Sequence, residues 1–566
     1  MLRRAPSRSA SGRARPRLAH VLVVACLSAA CVTSPAAEEP IHPESAPTSA
    51  AEIPSAACAA LDTTLVRRIY RGIDPERSGE IQLIPPESLQ AGGLSHASPF
   101  DMTQRIPLLI HGSGVVRPGS YDAPVTLADV APTAAQILRF PGFRAPDGRP
   151  LTEALIPAPQ RRLPRLVVTV IWDSAGNDLL NRWREGWPGL RELAGDSAWF
   201  TNAAVGATPS NTPPSHATIG TGAFPMTHGV PDEYVRFDGR IERPLHLGPK
   251  VLRVPTLGDR YDLALGNRPE VGLVGSLSAH LLMMGRGSFV HGADRDIAVT
   301  REPNSTATGG DDTAPRWRLP GGMSSYYSFP EYVNDPAMAR GFLRRIDELD
   351  RADGEADGRW RDHEISSLLG GWETPARSAW QTDLIEAVIE RQGFGADEVP
   401  DLLYVNYKML DSLGHKYSAD GVELLDGLQA QDNELDRLVR LLDDLVGRGE
   451  WVMFLTADHG MARDPAVTGA ERYEAGQLAE SIEATFGSPD DRVVQRTRPT
   501  QIWLDTDALA ASGSTVDDVA LHLWSLTRAE VVTGDEEVER PDEPAFLAAI
   551  PTSSVQELPC LRTTQP

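Results

Sequence analysis

Cysteine is scarce in this chain. Four occur among 566 residues, and two of them, Cys26 and Cys31, fall within the first 31. The rest of the chain holds one pair, Cys58 and Cys560, which in an oxidising compartment reads as a disulfide rather than two free thiols. Positive charge is also short: Lys and Arg total 54 against 78 Asp and Glu, giving a net charge of −24. Such a surface repels polyanions at long range, which disfavours nonspecific binding to nucleic acid or to anionic lipid. A phosphate-bearing substrate would have to be drawn in by local positive charge, such as bound cations. After the first 31 residues no apolar run reaches membrane-spanning length.

With 41% hydrophobic residues, a chain of this length can bury a large core, and length alone allows two or three domains. Residues 1–31 read as an export signal. Arg3, Arg4, Arg8, Arg13, Arg15 and Arg17 precede the apolar run Leu18 to Ala30, which is too short to span a bilayer comfortably. Ser28-Ala29-Ala30-Cys31 resembles a lipoprotein cleavage site with Cys31 as the lipidated first residue. Val23-Val24-Ala25-Cys26 fits the aliphatic preference of such sites better but leaves a very short apolar region. The Pro-, Ala-, Glu- and Ser-rich stretch 32–60 then reads as a disordered tether. Together these features place the protein in the periplasm or cell envelope, with a membrane contact only through an amino-terminal lipid.

Three strong strand signals each end in chemistry. Leu166 to Trp172 delivers Asp173, Leu402 to Tyr407 precedes Asp411-Ser412-Leu413-Gly414-His415, and Trp451 to Leu455 leads into Thr456-Ala457-Asp458-His459-Gly460-Met461. Continuous apolar runs of this kind suit buried parallel strands, whose carboxyl ends face the ligand crevice of an open α/β sheet. Asp and His together suit zinc, and the four-residue spacing of Asp411 and His415 would aim both at one ion from a single helical turn. In the stretch 208–222, Pro213 and Pro214 rigidify a helix start at Thr212. A hydroxyl at a helix amino terminus beside a dication can ionise and attack. Asp173, Asp411, His415, Asp458 and His459 make five ligands, one short of two three-ligand zinc sites about 4 Å apart.

The remaining stretches say less. His96 lies in a loop between a strand at 80–84 and another at 106–110. Residues 156–165 are Pro- and Arg-rich and read as a linker, and 419–446 as an amphipathic helix. From about 300 to 400 the pattern weakens, which reads either as an inserted cap shaping substrate access or as irregular surface.

The combined motifs resemble the alkaline phosphatase superfamily, nearest its type I phosphodiesterase and nucleotide pyrophosphatase branch. They are the strand ending in Asp173, Thr212-Pro213-Pro214-Ser215-His216 with Thr221-Gly222, Pro225 to Gly229, Asp411 with Gly414-His415, and Ala457 to Gly460. The resemblance implies a three-layer α/β fold with a central, mostly parallel sheet between helices. It implies two zinc ions and hydrolysis of a small phosphate ester through a covalent phosphothreonine at Thr212. Asp173, Asp458 and His459 would hold the ion that activates Thr212, and Asp411 and His415 the other. A phosphodiesterase or nucleotide pyrophosphatase is favoured, with a phosphomonoesterase as the alternative. A noncatalytic binding protein of the same fold would have lost ligands or nucleophile. A sulfatase would need Cys or Ser followed by x-Pro-x-Arg, and this chain has no such segment.

Two departures from the family pattern stand out. Where an asparagine usually contacts a phosphate oxygen, the chain has Asp232 and Glu233. The sixth ligand, a histidine expected downstream of Asp458-His459, has only His522 as a candidate there, inside a helical pattern. Residues 61–155 instead resemble the family's carboxyl-terminal portion, which implies a circular permutation. His96 would then supply the sixth ligand, 156–165 would join the usual ends, 166–550 would form the main catalytic part and 551–566 a tail. Cys58 and Cys560 would flank the same cut.

Overall fold

A computed structural model describes residues 46–92, 96–276, 279–301, 317–366, 371–488, 491–534 and 538–562. The expected signal peptide, Cys31 and the first part of the tether lie outside these residues. Leu166–Trp172 is the middle of a nine-stranded sheet, and all seven of its residues are buried. To one side run Asp401–Tyr407, Val271–Ser276, Asp296–Arg301 and Tyr327–Ser328, all parallel to it. To the other runs Trp451–Thr456, also parallel, then Leu108–His111, the one strand that runs against the others, then Ser197–Phe200 and the edge strand Gly119–Tyr121, which run with the rest. Strands apolar throughout need cover on both faces. The helices supply it in two mutually packed sets, Pro336–Asp350, Ala376–Gln392 and Val422–Leu442 in one, Val130–Ile137, Thr212–Thr221 and Leu257–Ala264 in the other. The fold is α/β with a large, mostly parallel central sheet and flanking helices.

A second, antiparallel sheet of Val494–Thr497, Gln501–Leu504, Ile81–Ile84 and Ala548–Pro551 has its own core. Residues 81–111 thus contribute one strand to each sheet. The stretch 156–165 is docked rather than free, since Arg161 is buried and donates to the Gln136 carbonyl.

Three expectations need correction. The tether does not extend to residue 60, because Ile53–Ala60 is a helix whose Ile53 and Ala57 are buried in the second core. Its apolar spacing hides in an Ala-, Ser- and Pro-rich composition, and the helix gains from folding only when that core receives it. The described part of the tail, 551–562, is structured: Thr552–Val555 and Pro559–Arg562 are helical, and Cys560 is bonded to Cys58 as expected. The described part of 300–400 is no separate cap. Its helix Pro336–Asp350 packs on Ala376–Gln392, which packs on Val271–Ser276 of the main sheet, with Trp317 and Trp380 fully buried and 4.7 Å apart between ring centres. Scattered tryptophans and breakers masked the helical period there.

Candidate active site

Register brings the candidate residues to one level. Trp172 lies opposite Tyr407, and Ile171 opposite Thr456, so Asp173, Lys408 and Asp458 leave three adjacent parallel strands at their carboxyl ends. Asp411 sits in the first turn of the helix Met409–Tyr417 and His415 one turn later. Thr212 opens the fully buried helix Thr212–Thr221, whose first turn tolerates Pro213 and Pro214 because its N–H groups have no partner within the helix. Gly222 ends that helix at φ 65°, a left-handed conformation suited to glycine.

All seven expected residues converge. Donor atoms of Asp173, Asp458 and His459 lie within 4.8 Å of one another, and so do those of His96, Asp411 and His459. His96 therefore joins Asp411 across the fold, while His522 packs against Phe486 and bonds Ser481 in the second core. The grouping differs from expectation in one respect. His459 belongs to both tight sets, and His415 stands outside them, its Nε2 3.3 Å from Asp411 Oδ1 and its side chain 41% exposed.

The histidine tautomers follow from their carbonyl partners. His459 Nδ1 donates to the Gly460 carbonyl at 2.9 Å and His96 Nδ1 to that of Ser210 at 3.2 Å, because a carbonyl only accepts. Both Nε2 atoms are left as lone-pair donors. His459 Nε2 lies 3.4 Å from Asp458 Oδ2, 3.8 Å from Asp173 Oδ1 and 3.2 Å from Thr212 Oγ1. Burial, then the neighbouring His459, keeps His96 neutral by pulling its pKa well down.

The carboxylates are crowded. Burial, followed by the charge of Asp173, raises the pKa of Asp458, and its Oδ2 is buried without a hydrogen-bond partner. Burial also acts to raise that of Asp411, but Lys408 and His415 hold it well below the usual carboxylate range. Three buried carboxylates, one of them with an unpartnered oxygen, and the Nε2 atoms of two histidines form a donor set that fits divalent cations of zinc's preferences.

Sequence reasoning missed three residues of this site. Lys408 Nζ contacts Asp173 Oδ1 at 2.8 Å, Asp411 Oδ2 at 2.9 Å and Thr212 Oγ1 at 3.1 Å. Ser174, at φ 68°, donates its hydroxyl to Asp411 at 2.8 Å and its N–H to Asp458 at 3.2 Å. Asn406 donates to Asp173 Oδ2 at 3.0 Å. One signal for Lys408 was available, since Lys250, Lys408 and Lys416 are the only lysines in the chain and this one directly follows a ligand-bearing strand.

The acids that replace the family's asparagine are both engaged. Asp232 Oδ1 accepts from Asn211 Nδ2 at 2.5 Å and from the Glu233 N–H at 2.6 Å, and burial pushes its carboxyl up to about 6. Glu233 pairs with Arg498 at 2.7 Å.

Residues 167–484, more than half of the chain, match the family model described as type I phosphodiesterase / nucleotide pyrophosphatase. The chain belongs to that family. It is a phosphoric ester hydrolase. Among curated proteins it is 24% identical over 424 residues to the alkaline phosphatase PafA of Elizabethkingia meningoseptica, covering 65% of this chain and 74% of that protein. It is also 24% identical over 356 residues to the alkaline phosphatase PhoV of Synechococcus elongatus, covering 57% and 64% respectively. A crystal structure of wild-type PafA aligns with a TM-score of 0.47 at 19% identity, over 64% of this chain and 76% of that one.

Proposed function

We propose that the protein is an exported phosphodiesterase or nucleotide pyrophosphatase that works with two zinc ions and passes its phosphoryl group through Thr212. One observation carries the reading: Thr212 Oγ1, at the first residue of a buried helix, lies 3.2 Å from Nε2 of His459, the residue common to both donor sets. Asp173, Asp458 and His459 would hold one ion, and Asp411, His415 and His96 the other. When bound, such ions supply the Lewis acidity that stabilises charge on the transferring phosphoryl group.

The chain's own residues do the rest. Thr212 Oγ bonds to phosphorus as the bond to the leaving ester oxygen breaks, and the threonine proton ends on solvent or the leaving group. Water then cleaves the phosphothreonine, and Thr212 regains a proton.

The match of residues 167–484 to the type I phosphodiesterase / nucleotide pyrophosphatase family model supports the diester reading. The phosphomonoesterase alternative is supported by the names of the relatives, which are alkaline phosphatases. Turnover of bis(4-nitrophenyl) phosphate against 4-nitrophenyl phosphate decides between them. The proposal expects the diester to have the larger kcat/KM, and a clear monoester preference would replace it with the alternative.

We further infer a circular permutation, with residues 61–155 standing for the family's carboxyl-terminal part. The position of His96 beside Asp411 and His459 supports it, as does the disulfide that ties residue 58 to residue 560. Close termini make such a rearrangement tolerable. Export through the signal at 1–31, with an anchor at Cys31, completes the reading.

A further inference from the structure

Lys408 stands where local rules disfavour it. It immediately precedes the helix Met409–Tyr417, at the end where the helix dipole repels cations. Its side chain is 13% exposed, so water solvates the ammonium poorly, and leaving such a group unpaired would be costly. The site meets that demand in full. An ammonium offers three protons and accepts none, and here each proton has one acceptor: Asp173, Asp411 and Thr212.

This arrangement fixes the polarity of the Thr212 hydroxyl. Oγ1 accepts from Lys408, because an ammonium only donates, so the hydroxyl's own proton must point elsewhere. One oxygen lone pair is then occupied by the ammonium and the other is open for attack. The same ammonium also touches one carboxylate from each donor set, so the nucleophile and both sets share a common tie.

We propose that Lys408 is a catalytic residue: a fixed cation that orients Thr212 Oγ and stabilises the negative charge on that oxygen as it attacks phosphorus and again as it leaves. This rests on Thr212 being the nucleophile. Its effect belongs to the transition state, where charge on Oγ differs most from the ground state. A lysine that merely balanced the carboxylates would act on metal retention and not on the reacting oxygen.

The test compares Lys408→Met, Lys408→Arg and Thr212→Ala, each reconstituted with zinc, with metal content measured by mass spectrometry. We expect Lys408→Met to keep its zinc and KM within about threefold while kcat falls by about 100-fold or more, with Lys408→Arg partly restoring it. A binding readout without turnover goes alongside. Orthovanadate, which mimics the five-coordinate phosphorus, should lose about 100-fold in affinity for Lys408→Met, while inorganic phosphate changes by less than about threefold. A Lys408→Met enzyme with near-normal kcat, or one whose loss is matched by loss of zinc, overturns the proposal. If Thr212→Ala is inactive while Lys408→Met is not, the role of Lys408 fails alone. If Thr212→Ala turns over normally, the nucleophile assignment fails and takes this role with it.

Discussion

The imidazoles of His96 and His459 lie stacked, with 3.9 Å between ring centres, although nearly the whole central sheet separates them in sequence. His415 meets the same His96 edge-on at 5.5 Å. Three imidazoles brought together in this way offer nitrogen donors of the kind zinc takes.

Removing His96 should therefore cost metal. His96→Ala is expected to lose about one of two zinc ions and most activity, because two protein ligands hold zinc weakly. His522→Ala, altered in the second core, should change neither. Zinc content per chain measured on both variants checks this. Full zinc in His96→Ala would remove the sixth ligand.

Asp232 should leave a mark on stability. Its carboxyl, held up to about 6 by burial, stays protonated in the folded protein at pH values where the unfolded chain has already ionised from its ordinary 3.8. The unfolded state then binds fewer protons, so this group lowers stability as pH rises from about 4 to about 6. Asp232→Asn, which can still accept from Asn211 and the Glu233 N–H, lacks that loss. Its denaturation midpoint relative to wild type should rise across this window and level off above it. A pH-independent difference would contradict the assignment.

The Cys58–Cys560 bond closes a loop of sequence separation 502. In the chain-entropy model such a loop is worth about 6 kcal/mol, and less where strain or residual structure intervenes. The Cys58→Ser, Cys560→Ser double variant should unfold at a lower denaturant concentration. Its zinc content should be unchanged, because neither residue is near the donor sets. An unchanged midpoint would deny the bond a structural role.

How much of this was legible in the sequence depends on the range of the forces involved. Leu166–Trp172, Asp401–Tyr407 and Trp451–Thr456 announce themselves because a strand buried on both faces must be apolar at every position. Asp173, Asp411, Asp458 and His459 follow because they adjoin those strands. His96 did not emerge from its own surroundings, which are those of an ordinary loop, but from the resemblance of its segment to a displaced part of the family pattern. Lys408 was missed because its meaning lies in the register of Tyr407 against Trp172, which no local pattern encodes. Ile53–Ala60 and the helices between 336 and 392 were misread for a related reason: their apolar faces make sense only against partners distant in sequence.

The most direct measurement is acid quenching of the zinc-loaded protein during turnover of a nitrophenyl diester, followed by peptide mass spectrometry. We expect a nitrophenyl phosphoryl group, left when one nitrophenolate departs, on the peptide that contains Thr212, located to that residue by fragmentation and absent from Thr212→Ala, which should retain about two zinc ions while losing turnover. Undiminished turnover in Thr212→Ala, or phosphate trapped on a different residue, would contradict the account.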